Sequence, residues 1–134
     1  AILFGLIIVT FALSNTISVE AFKKVFERLR PSHNEQIAHL VHLYKETCAG
    51  KFGFLSSHAA NVFGLATLMA IFLKGKIKYI TWYVMLWAGF VSYSRIYLGK
   101  HYPLDILCGA LLGVLIALIV YVIAKRINKV GLSY

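Results

Sequence analysis

The sequence predicts an all-α fold, a polytopic bundle of transmembrane helices, and three observations support this class. Hydrophobic residues make up 60% of the 134 residues, whereas charged residues make up only 14%. The mean hydropathy is +0.76. The charged residues cluster between long apolar stretches instead of spreading along the chain. This combination excludes an ordinary soluble domain, whose composition is more polar and more evenly charged.

Four apolar stretches are candidates for spanning helices, because each approaches the ~17–25 residues that cross a bilayer as an α-helix. They are Ala1 to about Ser18, Ser57 to Leu73, Tyr79 to Tyr93, and Ile106 to Ala124. The first opens without a methionine or a basic segment, so it is interpreted as a spanning helix and not as a signal peptide. We expect residues 1–134 to form a single membrane-embedded domain, truncated at its N-terminus.

The basic residues indicate how the helices are oriented. By the positive-inside rule, two connections without any acid should face the cytoplasm, and they contain Lys74, Lys76, Lys78, Lys125, Arg126 and Lys129. Residues 19–56 and 94–105 then share the outer face. Because the charges lie in loops, the net charge of +9 does not indicate nucleic-acid binding. The two cysteines imply no disulfide framework.

The segment VEAFKKVFERLRP, residues 19–31, has the pattern of an amphipathic outer helix. Its apolar and polar residues recur at helical spacing, and Pro31 would end the helix. Lys23 and Arg30 are seven residues apart, which places both on one face of such a helix, where two fixed cations suit a phosphate. The alternative is a solvated face on which Lys23 pairs with Glu27.

The segment LSSHAANVFGLATL places Ser56, Ser57 and His58 at the start of the second spanning helix. Free backbone N–H groups and the helix dipole favour an anion at this position. Ser56 also fits an ordinary N-cap. A histidine at the membrane boundary can transfer a proton near neutral pH, although packing at the interface is the alternative role for His58.

The segment SYSRIYLGKHYPLDILCG places charged residues at the mouth of the last apolar stretch. Pro103 suits the first turn of a helix, so His101 would lie at its entrance and Asp105 one turn further on. Such a carboxylate can hold one imidazole nitrogen as N–H and leave the other free as a nucleophile. Arg95, at the end of the preceding span, could bind a phosphate through two N–H groups or simply pair with Asp105.

The predicted threading brings these three segments to one side of the membrane, where together they form a phosphate site with two histidines. Ionisable residues at a membrane boundary favour a functional interpretation. Deeper in the last helix, Gly109 and Gly113 are four residues apart. That spacing indicates close packing between helices and has no chemical role.

The three segments resemble the signature motifs of the type-2 phosphatidic acid phosphatase superfamily, whose patterns are K-x6-R-P, P-S-G-H and S-R-x5-H-x3-D. The residues that match these patterns, in order, are Lys23, Arg30, Pro31, Ser56, His58, Ser94, Arg95, His101 and Asp105. In the second motif Leu55 replaces proline and Ser57 replaces glycine, although Ser57 keeps its backbone N–H. The resemblance covers nearly the whole chain, but membrane-bound members usually have six spanning helices.

The resemblance implies a metal-independent lipid phosphate or diphosphate phosphatase, similar to undecaprenyl-diphosphatases and phosphatidylglycerophosphate phosphatases. His101 would attack phosphorus and form a phosphohistidine, Asp105 would orient it, and His58 would protonate the leaving oxygen and then activate water. Fixed cations and polar groups would bind the phosphoryl oxygens in place of a metal ion. In this sequence they are Lys23, Arg30, Ser56, Ser57 and Arg95.

The expected partners are a lipid phosphate substrate and membrane lipids, with no cofactor, metal or nucleic acid. We expect an integral protein of a bacterial inner membrane whose site faces the periplasm or the outside. The motifs contact only the phosphate, so undecaprenyl diphosphate, phosphatidate, phosphatidylglycerol phosphate and a lipid A phosphate stay open as substrates. The oligomeric state also stays open.

Three rival interpretations have different chemistry. His33, His39, His42 and Cys48 could form a zinc site in the outer loop, a possibility that a chelator would test. A non-catalytic polytopic protein that binds lipid phosphate or assists transport could keep the same pocket. A vanadium-dependent haloperoxidase has a similar oxyanion pocket, but those enzymes are soluble and much longer.

Overall fold

The computed structural model describes residues 2–31, 34–36, 39 and 52–128. Its four long helices are α1 (Ile2–Ile17), α3 (Ser57–Leu73), α4 (Ile80–Tyr97) and α5 (Pro103–Ile127). Helix α1 continues through a π-helical segment (Ser18–Lys23) into a single α-helical turn, α2 (Lys24–Phe26). The described part of the chain contains no β-strand, only one isolated antiparallel bridge between Leu29 and Phe52. The predicted all-α class is therefore confirmed.

Two of the described helices have the length and composition of membrane spans. The continuous helix Ile2–Phe26 and helix α5 are each 25 residues long and apolar enough to cross a bilayer, whereas α3 is apolar but shorter. Large apolar side chains also point away from the bundle, as in Phe90, which is 78% exposed. Such a surface suits lipid and not water.

The helix boundaries agree with the expectation in part. Helix α3 has the predicted bounds, whereas α4 runs to Tyr97, beyond the apolar stretch drawn to Tyr93. Helix α5 begins at Pro103, the residue expected in its first turn, three residues before the last apolar stretch. Pro103 can open the helix because its fixed φ is helical and the first position needs no N–H donor. The early start of α5 brings Asp105 into the first turn, as expected.

Helix α3 lies at the centre of the bundle and packs against α1, α4 and α5. Ala59, Ala60 and Ala66 on α3 are completely buried. A Cβ atom added to Gly113 would overlap the backbone of Ala60, and one added to Gly109 would overlap the carbonyl of Ser56. The two glycines therefore let α5 approach the α3 backbone closely, which confirms the predicted packing role.

The predicted amphipathic helix up to Pro31 is wrong in its second half. Helix α2 ends at Phe26, because Glu27 takes a left-handed conformation with φ 46° and ψ 34°. Beyond it the chain pairs with a distant segment, where the N–H of Gly53 donates to the Arg28 carbonyl at 2.9 Å. The helical conformation is disfavoured for Arg30 because it precedes Pro31. The pairing with residues 52–53 gives this segment an alternative to the helix. Lys23 and Arg30 are thus not on one helical face.

Two connections bring the functional segments to one end of the bundle. The N–H of Ser56 donates to the Asp105 carbonyl at 3.1 Å, which joins the first turns of α3 and α5. After α4, Gly99 has φ 69°, a left-handed value that glycine adopts without steric cost at the end of a helix. The chain turns there, so that His101 lies at the end of the bundle where α3 and α5 begin.

Candidate active site

The predicted site residues come together at the end of the bundle where α3 and α5 begin. Arg30 lies within electrostatic range of Arg95 and Asp105. His58 lies within the same range of Arg95 and His101. Two helix N-termini and several cationic side chains therefore share one small region, which favours an anion.

Lys23 links the first segment to the start of α3. Its Nζ donates to the Ser57 hydroxyl at 2.9 Å. The alternative pairing of Lys23 with Glu27 does not form, and the nearest i, i+4 ion pair on this helix joins Lys24 to Glu20 at 2.7 Å. The serine that replaces the glycine of the family motif is therefore bonded to a second site residue.

Ser56 acts as the N-cap of α3, as expected. Its hydroxyl accepts a hydrogen bond from the Ala59 N–H at 3.2 Å, and the residue is fully buried. This bond satisfies the Ala59 N–H, one of the donors in the first turn that have no partner within the helix.

Arg30 is buried, with only 7% of its surface exposed, and its Nε donates to the Phe52 carbonyl at 3.3 Å. A Cβ atom on Gly53 would lie 2.6 Å from the Arg30 Cγ, so this position requires a glycine. Burial lowers the pKa of Arg30, the nearby charge of Arg95 lowers it further, and Asp105 opposes both. Arginine nevertheless stays charged at physiological pH.

His101 is 97% buried from solvent, with 3% of its surface exposed. Its Nδ1 lies 3.0 Å from the Gly53 carbonyl oxygen. Because a carbonyl only accepts hydrogen bonds, Nδ1 carries the hydrogen, and the neutral ring then has its lone pair on Nε2. The hydrogen bond to Gly53 thus fixes the tautomer of His101 that carries its hydrogen on Nδ1.

The carboxylate of Asp105 is not the hydrogen-bond partner of His101. Its Oδ2 lies 3.7 Å from Nδ1, which is too long for a hydrogen bond but close enough to attract the ring whenever the ring carries a positive charge. Oδ2 instead accepts the Tyr102 N–H at 2.8 Å, and Oδ1 lies 3.4 Å from an Arg28 nitrogen. In the described chain the carboxylate forms an ion pair with Arg28. The pairing of Asp105 with Arg95, which the sequence left open, does not form there.

Arg95 and His58 occupy the remaining side of the site, and both are half-buried. The Nε of Arg95 is buried and has no hydrogen-bond partner in the described part of the chain. The same is true of the Asn61 side-chain oxygen, one turn after His58 on α3. The unpaired Nε–H of Arg95, next to several cations, is suited to donate a hydrogen bond to a phosphate oxygen.

The pKa of His101 is lowered from its ordinary value near 6.5. Burial is the largest cause, since it disfavours the charged ring; Asp105 opposes the shift, and Arg30 and Lys23 add to it. The ring is therefore neutral, and so nucleophilic, at neutral pH.

Two site groups were missed in the sequence. Arg28 was not singled out, because a helix through Arg30 would turn it to another face. Gly53 contributes only its carbonyl, which no side-chain pattern reveals.

The zinc interpretation is not tested. His39 is exposed, and its three proposed companions lie outside the described residues. Within the described residues, no group of three histidine, cysteine or acidic side chains could hold a metal ion.

Fold and site together define a class: a helical integral membrane protein with a cationic, two-histidine site where its helices begin. The chain belongs to the PAP2 superfamily, whose family model matches residues 3–129. The resemblance of the three motifs is thereby confirmed.

Two relatives carry the same name. The chain is 44% identical over 103 residues to the lipid A 4'-phosphatase of Bacteroides thetaiotaomicron. The alignment covers 75% of this chain and 44% of that protein. It is 32% identical over 117 residues to the lipid A 4'-phosphatase of Porphyromonas gingivalis, covering 87% of this chain and 49% of that protein. The chain thus spans about half the length of these relatives.

A solved structure has the same fold. The transmembrane PAP2-type phosphatidylglycerolphosphate phosphatase from Bacillus subtilis superposes with a TM-score of 0.69 and 24% sequence identity. The similarity covers 92% of this chain and 60% of that chain. The helical transmembrane architecture expected from the sequence is therefore confirmed.

Proposed function

We propose that this protein is a metal-independent phosphatase of lipid phosphates or diphosphates that works through a phosphohistidine. The observation that carries the proposal is the state of His101. It is buried, its Nδ1–H is bonded to the Gly53 carbonyl, and its Nε2 keeps a free lone pair. A neutral imidazole fixed in this way is an activated nucleophile.

In the first step, Nε2 of His101 forms a bond to phosphorus while the bond from phosphorus to the lipid oxygen breaks. His58 donates a proton to that oxygen. In the second step, His58 takes a proton from water, whose oxygen attacks phosphorus and releases Nε2 and inorganic phosphate. The same histidine thus acts first as an acid and then as a base.

The cations lower the barrier for both steps. Charge spreads over the three equatorial oxygens of the transferring group, and catalysis depends mainly on positioning and on stabilising that charge. Lys23, Arg30 and Arg95 supply fixed positive charge, and Ser56 and Ser57 supply polar groups at the start of α3. These groups take the role that a metal ion has in other phosphatases.

A phosphate monoester of lipid A is the substrate that the relatives' names favour. Both relatives described above are lipid A 4'-phosphatases. The position of the site at the end of apolar helices supports a substrate whose headgroup emerges there while its acyl chains stay in the bilayer.

The first test measures phosphate release in detergent with excess EDTA. The panel contains lipid A with a 4'-phosphate, phosphatidate, phosphatidylglycerol phosphate and undecaprenyl diphosphate. We expect release that EDTA does not reduce, fastest from the lipid A phosphate. His101→Ala should lower kcat by at least about 1,000-fold, because it removes the nucleophile.

His39→Ala is the matched control, since this histidine is exposed. It should keep the parent activity. If the protein needed a zinc ion at this histidine, both the substitution and EDTA would lower phosphate release. Substantial turnover by folded His101→Ala would refute the nucleophile assignment. A folded parent chain that binds lipid phosphates without releasing phosphate would favour the non-catalytic alternative.

A further inference from the structure

Arg28 is not one of the residues that the three motif patterns specify, but it contacts the centre of the site twice. Its backbone carbonyl accepts the Gly53 N–H at 2.9 Å. Its guanidinium lies 3.4 Å from Oδ1 of Asp105. Gly53 and Asp105 are the two groups next to Nδ1 of His101. Arg28 is therefore connected to both neighbours of the proposed nucleophile.

Asp105 needs a fixed counter-charge. Only 1% of its side chain is exposed, and a buried carboxylate is costly unless it is paired and hydrogen-bonded. One oxygen of Asp105 accepts the Tyr102 N–H. Among the arginines and lysines of the described chain, Arg28 lies within ion-pair distance of the second oxygen. Removing Arg28 takes away the direct ion pair of this oxygen and leaves the more distant charge of Arg30.

The guanidinium is itself held in place by aromatic rings. Its central carbon lies 4.6 Å from the centre of the Tyr102 ring and 5.9 Å from that of Phe54. Asn34 donates to the Tyr102 hydroxyl at 3.3 Å, which fixes the nearer ring. A planar cation suits this stacking, and a lysine ammonium reproduces only its charge.

We propose that Arg28 is a positioning residue for the His101–Asp105 pair, an inference that rests on the proposed function. Its stacked guanidinium holds the carboxylate 3.7 Å from Nδ1, so that Gly53 stays the hydrogen-bond acceptor while Asp105 stabilises the positive charge that develops on the ring. Without Arg28, the carboxylate turns towards Nδ1 and changes the orientation of the nucleophile.

This role predicts an effect on turnover and not on substrate binding. Arg28 already engages Asp105, whereas the unpaired donor available to a phosphate belongs to Arg95. Arg28→Gln should lower kcat by about 10- to 100-fold and leave KM within about threefold. Arg28→Lys should recover part of the lost kcat, because it keeps the charge but not the planar stacking.

The matched control is Lys24→Gln. It removes one positive charge four residues away, from a side chain that is 64% exposed and pairs only with Glu20 among the described residues. Its kcat and KM should equal those of the parent. Unchanged kcat in Arg28→Gln would overturn the proposal, and so would a raised KM with unchanged kcat, which would indicate headgroup binding instead.

A second readout separates this proposal from the proposed function. In histidine-labelled protein, the Nδ1–H proton resonance of His101 is assigned by its loss in His101→Asn. It should move downfield in Arg28→Gln and stay unchanged in Lys24→Gln, because a carboxylate is a stronger acceptor than the Gly53 carbonyl. This shift is expected even if the parent chain releases no phosphate, and its absence would overturn the positioning role.

If Arg28→Gln fails to fold, Arg28→Lys carries the test. A lower kcat at unchanged KM, with a shifted Nδ1–H resonance, would support the need for a planar guanidinium. Parent values of both quantities would overturn it.

Discussion

At the scale of single residues, the site combines buried and half-buried cations with one buried carboxylate, and their balance sets the pKa of His101. Burial and the positive charges of Arg30 and Lys23 favour the neutral ring, and Asp105 opposes them. The pKa of His101 in the folded protein therefore lies below its unfolded value of about 6.5. In the window below that value the unfolded chain binds more protons, so this residue destabilises the fold as the pH falls.

This balance predicts the pH dependence of His101, the proposed nucleophile. His101 should titrate below pH 6.5 in a histidine NMR titration, and the acid limb of kcat/KM should lie in the same range, because protonation removes the lone pair. Arg30→Gln should move the titration upwards, since a nearby positive charge is lost.

Lys24→Gln serves as the control, because Lys24 does not act on His101. Its histidine titration should match that of the parent. A midpoint for His101 above 6.5 in the parent would contradict the assigned environment.

At the scale of elements, the close contact between α3 and α5 holds the site together. The start of each helix contributes functional groups, and the Ser56 N–H to Asp105 carbonyl bond joins them. Four residues along α5 from Gly109, Gly113 lies against the Ala60 backbone. Any side chain at Gly113 must push the two helices apart, and the displacement would be transmitted to the joined first turns.

Gly113→Ala should therefore destabilise the protein by about 1–3 kcal/mol, the usual range for overpacking, and reduce activity. Gly89→Ala is the matched control, because a Cβ atom at this glycine of α4 would meet nothing within 4 Å. It should be neutral or stabilising by up to about 1 kcal/mol, since alanine favours helix. Thermal unfolding in detergent measures the stability of both variants. Equal stability of Gly113→Ala and Gly89→Ala would contradict the close packing of α5 against α3.

At the scale of the whole molecule, the cationic site and the basic turn between α3 and α4 lie at opposite ends of α3. The turn holds Lys74, Lys76 and Lys78, all exposed. The positive-inside rule predicts that this turn faces the cytoplasm and that the site faces the outside. Lysine and arginine at the predicted outer end run against the general bias, and the proposed binding of an anionic headgroup would explain them.

This orientation predicts the result of cysteine labelling in intact cells, with Cys48 and Cys108 first replaced by serine. A membrane-impermeant maleimide should label Glu35→Cys, near Asn34 and therefore at the site end. It should label Lys76→Cys only after the membrane is permeabilised. The reverse pattern would place the site in the cytoplasm.

The sequence by itself determined the elements and the kind of chemistry. The lengths of the apolar stretches predicted the helices, and the spacing of residues within each motif identified the family. Both signals depend on residues that are close together in the chain. Within the third segment, helical spacing also brought His101 and Asp105 one turn apart, as the structure has them. Their catalytic roles stay predictions.

Only the tertiary structure decided how these groups meet. The helix ends at Phe26 because Arg28 and Leu29 pair with a segment more than 20 residues away. That pairing brings the Gly53 carbonyl to His101 and the Arg28 guanidinium to Asp105. Contacts between distant segments leave no periodic pattern in the sequence, so local propensity could not reveal them. The fold thus sets which partner each histidine and carboxylate has.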